Sequence, residues 1–209
     1  MSLSLVLVRH GHTIWSDTGG VAGRSDIDLS VEGQSAVKQL ASTAESSLVW
    51  QSLHSSPLKR TRQTMQLLCD GMALDHALPD VSFDKRLVEL DFGDWEGMTW
   101  ATVHEQYENE MKVWGEDWIN RAPPNGETFA EQAARCQSWL DDYLCDRLTP
   151  RNSLVVLHGG SIRALLCLCL GWPLTRAMDF AIDPAKATTL CFDAQTNSWV
   201  VRGINLARF

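Results

Sequence analysis

The chain has no apolar run long enough to cross a membrane, no C-x-x-C pair and no excess of positive charge. Each absence removes a class of function. A membrane helix needs about 20 consecutive apolar residues, and the first apolar stretch ends at Arg9. The opening Met1-Ser2-Leu3-Ser4-Leu5 has no basic region, so neither signal peptide nor anchor is expected, and the expected location is cytoplasmic. With 18 Lys and Arg against 26 Asp and Glu, the net charge is -8. No nucleic acid and no membrane surface is expected as a partner, because neither polyanion would be attracted. A small anion stays open, since local arginines decide that. The six cysteines (Cys69, Cys136, Cys145, Cys167, Cys169 and Cys191) lack thiolate-metal spacing and read as buried free thiols. Repeats, low-complexity tracts and long linkers are also missing. The 209 residues, 44% hydrophobic, read as one domain over 1–209.

Two short apolar runs stand out. Leu5-Val6-Leu7-Val8 delivers Arg9-His10-Gly11-His12-Thr13, and Leu154-Val155-Val156-Leu157 delivers His158-Gly159-Gly160-Ser161-Ile162-Arg163. A continuous run of this length, bounded by glycine, reads as a strand buried on both faces. In an open parallel sheet, ligands bind outside the carboxyl ends of such strands. Around them the sequence predicts strands at 3–9, 48–53, 81–83 and 153–157. It predicts a helix from an Ser30 cap to about Ala44. A second helix has Ser56 at N-cap and Pro57 at N1, and ends near Gly71. Further helices are expected over about 127–147 and from Gly159-Gly160 to Gly171, followed by a hairpin of 188–193 and 198–204 around Asn197. The stretch of about 93–126 breaks the rhythm with Trp95, Trp100, Trp114 and Trp118 and reads as a helical insertion. The expected fold is α/β: a three-layer sandwich with a mostly parallel central sheet, helices on both faces and a small helical insertion over the site.

Phosphoryl transfer needs positive charge on three equatorial oxygens, an in-line nucleophile and a proton for the leaving oxygen. Arginine forks suit the oxygens, and Arg9, Arg60 and Arg163 are the candidates. Arg60 falls at a helix N-terminus, where backbone N–H groups also favour an anion. His10 is the candidate nucleophile, with Gly11 leaving room for phosphate and His158 as the second imidazole. The other histidines, His12, His54, His76 and His104, read as ordinary core or surface residues. The proton donor should be a carboxylic acid. The segment 87–97 offers Glu89, Asp91, Asp94 and Glu96, which residue chemistry alone does not separate.

Taken together these blocks resemble the histidine phosphatase superfamily, the phosphoglycerate-mutase-like clan. Leu7-Val8-Arg9-His10-Gly11-His12-Thr13 resembles its signature, and 28–33, 55–64, 89–97, 124–128 and His158-Gly159-Gly160 resemble its later blocks in order. The resemblance implies His10 as nucleophile, Arg9, Arg60 and His158 on the phosphate, and Glu89 as general acid. Ser16, Gly23 and Gly159 join Arg9, Arg60 and His158 as the expected substrate-binding set. It implies no metal and no organic cofactor. Arg163 stays outside this set and is expected to pair with an acid. Two positions depart from the pattern: Ser16 stands where asparagine is usual, and His12 where glutamate or glutamine is usual.

The segment 89–97 is similar to that of α-ribazole phosphatases and fructose-2,6-bisphosphatases. Glu89 and His158 are only 69 positions apart, and the sequence ends at Phe209 without the tail that mutases carry over a dry site. The expected activity is therefore hydrolysis of a small phosphorylated metabolite, with α-ribazole 5′-phosphate as a candidate. A phosphoglycerate mutase and a non-catalytic phosphate-binding scaffold are the alternatives. The four tryptophans of the insertion either line a pocket or pack it onto the body, packing being the commoner use. Glu105, Glu108, Glu110, Glu116 and Asp117 read as a solvated face that would repel a substrate with several phosphates. A homodimer through the tail hairpin is allowed by the sequence but not required.

Overall fold

The computed structural model describes residues 2–45, 47–145 and 148–209. In chain order the elements are β1 (Ser2–Arg9), α1 (Val31–Ala41), β2 (Ser52–Ser55), α2 (Lys59–Gly71), β3 (Val81–Phe83), α3 (Trp100–Gln106), α4 (Glu108–Glu116), α5 (Phe129–Leu144), β4 (Arg151–Leu157), α6 (Gly159–Leu170), β5 (Ala187–Asp193) and β6 (Ser198–Leu206). The strands form a sheet in the order β3-β2-β4-β1-β5-β6. The pairings β1–β4, β2–β4 and β2–β3 are parallel, while β5 and β6 add an antiparallel edge. This is the expected three-layer α/β sandwich.

The two apolar runs are continuous because each strand is packed on both sides. Leu5, Leu7, Val155 and Leu157 face a core built with α5 and α6. Val6, Val8, Leu154 and Val156 face a second core built with α1 and α2. Each such side chain, fully buried, contributes about 1.5–3 kcal/mol relative to exposure. Among the described residues no helix is long and apolar enough to cross a membrane.

Local chemistry explains where boundaries fall. Ser30 Oγ accepts from Gly33 N at 3.1 Å and starts α1 as expected. The helix stops at Ala41, short of Ala44, where Ser42 and Thr43 turn their hydroxyls onto the carbonyls of Gln39 and Leu40. β2 begins at Ser52, not 48. The apolar residues before it are a core anchor: Trp50 is buried and meets Phe209 edge to face. α2 is capped by Leu58, not Ser56, whose hydroxyl is engaged elsewhere. Thr128 and Glu131 form a capping box that opens α5. The helix ends at Leu144, and the expected end at Arg147 lies outside the described residues. Of the six thiols only Cys136 and Cys167 are buried; Cys145 is exposed and the others are half-buried.

Candidate active site

Strand register places the two histidines side by side. Arg9 pairs with Leu157 across β1 and β4, so His10 and His158 are the first residues past the carboxyl ends of neighbouring parallel strands. His10 N donates to Leu157 O at 3.0 Å. The rings meet edge to face with centroids 5.1 Å apart. His10 Nδ1 lies 2.7 Å from Gly11 O, which fixes the proton on Nδ1 and leaves Nε2 unprotonated, as an acceptor. Gly11 makes room for protein, not phosphate: a Cβ there would lie 2.7 Å from the Gly33 carbonyl at the start of α1.

Arg60, from the first turn of α2, is fully buried and reaches both rings. Its Nε lies 3.2 Å from His10 Nε2 and 3.3 Å from His158 Nδ1. Its two terminal nitrogens donate to Gly23 O at 2.5 Å and Ser25 O at 2.8 Å, so the loop after Gly20 wraps the guanidinium. His158 Nε2 pairs with Ser56 Oγ at 2.8 Å. Arg9 donates from Nη1 to Ile182 O at 2.5 Å, while its buried Nε has no hydrogen-bond partner among the described residues. A buried donor left unmade costs about 1–3 kcal/mol, a cost an anion would remove. Burial, with Arg60 second, holds both imidazoles well below the ordinary histidine range, so both are neutral in the free protein. Burial likewise brings the Arg60 guanidinium down to about 10, still charged at neutral pH.

Glu89 faces this cluster across the N-terminus of α6. Its Oε1 accepts from Leu90 N and Gln132 Nε2, both at 3.0 Å, and its Oε2 accepts from Gly160 N at 3.1 Å. The segment is held by Arg135, whose guanidinium binds the carbonyls of Arg86, Val88 and Glu89 and pairs with Glu127. Gly160 leaves room for the acid, since a Cβ there would fall 2.3 Å from Glu89 Oε1. Of the other acids, Glu96 accepts from Arg24 N and Ser25 N at 2.7 Å and so ties down the loop around Arg60. Asp91 accepts from Gly93 N, and Asp94 from the Asn125 amide.

Beyond Glu89 opens a cavity of about 190 Å³, walled by Phe92, Trp100, Trp114, Trp118 and Phe129, with Arg163 at its side. The insertion's tryptophans therefore divide between both expected uses. Trp95 is fully buried and packs the cap, while Trp100 and Trp114 stack at 6.1 Å and line the cavity. Arg163 does not pair with an acid among the described residues; its Nε donates to Phe180 O at 2.9 Å.

The remaining expected residues are placed as follows. Ser16 Oγ donates to Thr13 O at 2.8 Å and accepts from Thr13 N at 2.6 Å, so its hydroxyl is spent within the loop. Gly159 opens α6 behind a cap residue, His158, that makes no side-chain cap bond. His54 stands edge-on to Trp139 and Tyr143, and His12 and His104 are exposed. Residue chemistry missed Ser56, Gln132 and Arg135. Ser56 carried a readable signal, since it follows β2 as His10 and His158 follow β1 and β4. Among the described residues no group of three or more His, Cys, Asp or Glu is arranged to hold a metal ion.

Known proteins resemble this chain in sequence and in fold. The chain is 29% identical over 195 residues to Phosphoserine phosphatase 1 of Hydrogenobacter thermophilus, covering 93% of this chain and 89% of that one. It is 31% identical over 207 residues to the Proteus mirabilis protein named Probable phosphoglycerate mutase GpmB, covering 96% and 89%. In fold it is similar to the α-ribazole phosphatase of Shigella flexneri, with a TM-score of 0.88 at 23% identity over 99% of this chain and 98% of that one. The model of the histidine phosphatase superfamily (branch 1) matches residues 5–206, and the chain belongs to that superfamily.

Proposed function

We propose that this protein is a metal-independent phosphomonoesterase that hydrolyses a small phosphorylated metabolite through a phosphohistidine on His10. One observation carries the reading: an unprotonated His10 Nε2 lies 3.2 Å from the Nε of a buried Arg60, beside a second neutral imidazole. That is a nucleophile already inside an anion cradle. Phosphate entering the cradle takes the Nε–H of Arg60 and the orphaned Nε–H of Arg9, and so releases the His10 lone pair. Nε2 then attacks phosphorus, the P–O ester bond breaks, and the ester oxygen takes the proton of the Glu89 carboxyl. In the second half a water attacks phosphorus, the P–N bond breaks, and the Glu89 carboxylate accepts the water's proton. Gly23 and Gly159 complete the proposed binding set, with Ser16 included only through the loop that its hydroxyl ties to Thr13. Gly23 acts through the carbonyl that orients Arg60, and Gly159 through its place at the start of α6.

The leaving group lies in the aromatic cavity. Stacked indoles suit a planar or apolar body, and the exposed Glu105, Glu108, Glu110 and Glu116 of the cap disfavour further phosphates. A monophosphate carrying an aromatic base meets both conditions, and α-ribazole 5′-phosphate is the substrate we propose. The deciding experiment is inorganic phosphate release in excess EDTA from α-ribazole 5′-phosphate, phosphoserine, sugar phosphates, nucleotides and 3-phosphoglycerate. Release with a clear preference for the aromatic monophosphate is expected, together with its loss in His10→Ala. Isomerisation of 3-phosphoglycerate without phosphate release would establish a mutase instead. Binding without turnover or His10 labelling would establish a scaffold.

A further inference from the structure

The side chain of Gln132 is fully buried on the inner face of α5, and half of its amide is used. Its Nε2 donates to Glu89 Oε1 at 3.0 Å and to Ser161 Oγ at 3.2 Å. Its Oε1 has no hydrogen-bond partner among the described residues. A buried acceptor left unmade is costly, and a native protein keeps one for a reason. Gln132 shares the buried face of α5 with Phe129, Ala133 and Cys136, a face that is otherwise largely apolar. An aliphatic side chain there would fill the same space without an orphaned atom.

Glu89 supplies the reason. On the mechanism above its carboxyl is protonated before phosphoryl transfer and ionised after it. The three groups that hold it all donate: Leu90 N, Gly160 N and Gln132 Nε2. Arg9 and Arg60 add positive charge nearby. This is a shell for a carboxylate. A carboxylic acid also presents an O–H, which needs an acceptor. The two backbone N–H groups are fixed donors and supply none. Gln132 carries both kinds of atom, and a half-turn of its terminal amide exchanges them. Ser161 permits the exchange, because its hydroxyl both donates to Val88 O at 2.8 Å and accepts from Gln132. It can turn to donate to Oε1 instead.

We infer that Gln132 is a positioning residue whose amide turns over with the protonation state of Glu89. It donates to the carboxylate and accepts from the acid until the leaving oxygen takes over that O–H, so that the proton is kept on the carboxyl while the site is empty. No bond to substrate is assigned to it. The inference rests on the phosphatase reading, and its test separates the two.

The test compares kcat/KM for ethyl phosphate and for p-nitrophenyl phosphate in the wild type and in Gln132→Met, with Gln132→Leu as a second variant should Met not fold. An alkoxide needs a proton to leave, and p-nitrophenolate does not. The expected result is a loss of about ten-fold or more on ethyl phosphate, with p-nitrophenyl phosphate held within about two-fold. The retained activity doubles as proof of folding. Equal losses on both substrates would overturn the inference and make Gln132 a packing or substrate-contact residue. No loss on either would overturn it too. A wild type that cleaves neither ester and forms no phosphohistidine would remove the phosphatase reading and this inference with it.

Discussion

The rings of His10 and His158 lie 5.1 Å apart with their planes 64° from parallel, and one N–H of Arg60 points between them. The three groups form a unit in which the guanidinium is the only permanent charge. Replacing it by lysine keeps the charge and loses the fork. Lysine cannot hold both Gly23 O and Ser25 O while reaching the imidazoles. Arg60→Lys is therefore expected to lower kcat/KM about 100-fold, as loss of one preorganised donor does elsewhere. Steady-state kinetics check it. Activity within three-fold of wild type, roughly, would mean that charge alone suffices.

Gly160→Ala tests the placement of the acid. The new methyl would sit 2.3 Å from Glu89 Oε1 and 2.9 Å from Gln132 Oε1, and Glu89 would have to swing away. Alanine is at home in the backbone of α6, so thermal stability should change little. A displacement of about 1 Å at a reacting group costs about 100-fold in rate. A fall in kcat of that order without a matching fall in Tm is expected. A variant with unchanged kcat would argue that Glu89 is not the acid.

Trp100→Ala tests the cavity. Trp100 is 42% exposed and stacked on Trp114, and losing one aromatic pair should cost the fold only about 1 kcal/mol. KM for aromatic monophosphates is expected to rise by about ten-fold, while that for ethyl phosphate stays put. A uniform change across both would show that the indoles serve the cap rather than the ligand.

Acid should unfold the free protein early. Burial lowers His10 and His158 well below 6.5, their unfolded value, so below pH 6.5 the unfolded chain binds protons that the native site refuses. Stability then falls with pH by about 1.4 kcal/mol per unit for each histidine. The carboxylate Asp84, whose pKa Arg86 depresses, matters only near and below its usual 3.8. Urea unfolding at pH 7.5 and 5.5 should show the loss. Inorganic phosphate should reduce it, since an anion beside the imidazoles favours their charged form. A flat profile between those values would contradict the neutral, buried pair.

The two-sided burial of β1 and β4 was legible because Leu and Val alternate between two cores, leaving no polar position to read. His10, His158 and Arg60 followed from strand ends and a helix start. The choice of Glu89 came from the family resemblance and not from residue chemistry. Four acids lie within eight residues, and only the approach of α6 and α5 in space decides which one faces the histidines. Gln132 was hidden for the same reason, although a lone amide in the stripe Phe129, Ala133, Cys136 and Leu140 was a usable sign. β2 was placed early because Trp50 is buried without being in a strand.

The candidate nucleophile and its imidazole neighbour are separated by almost 150 residues, yet one backbone bond, His10 N to Leu157 O, ties the first to the residue just before the second. During synthesis, β1 leaves the ribosome long before β4 and has no partner on that side. The half-made chain can collapse around α1 and α2, but it holds a single imidazole and half a cradle. Hydrolysis of a phosphate ester thus reports closure of the sheet's centre, a contact between distant parts of the chain and a slow one to form. Activity recovered during refolding should lag helix formation, because chemistry begins only when β4 has been inserted between β2 and β1.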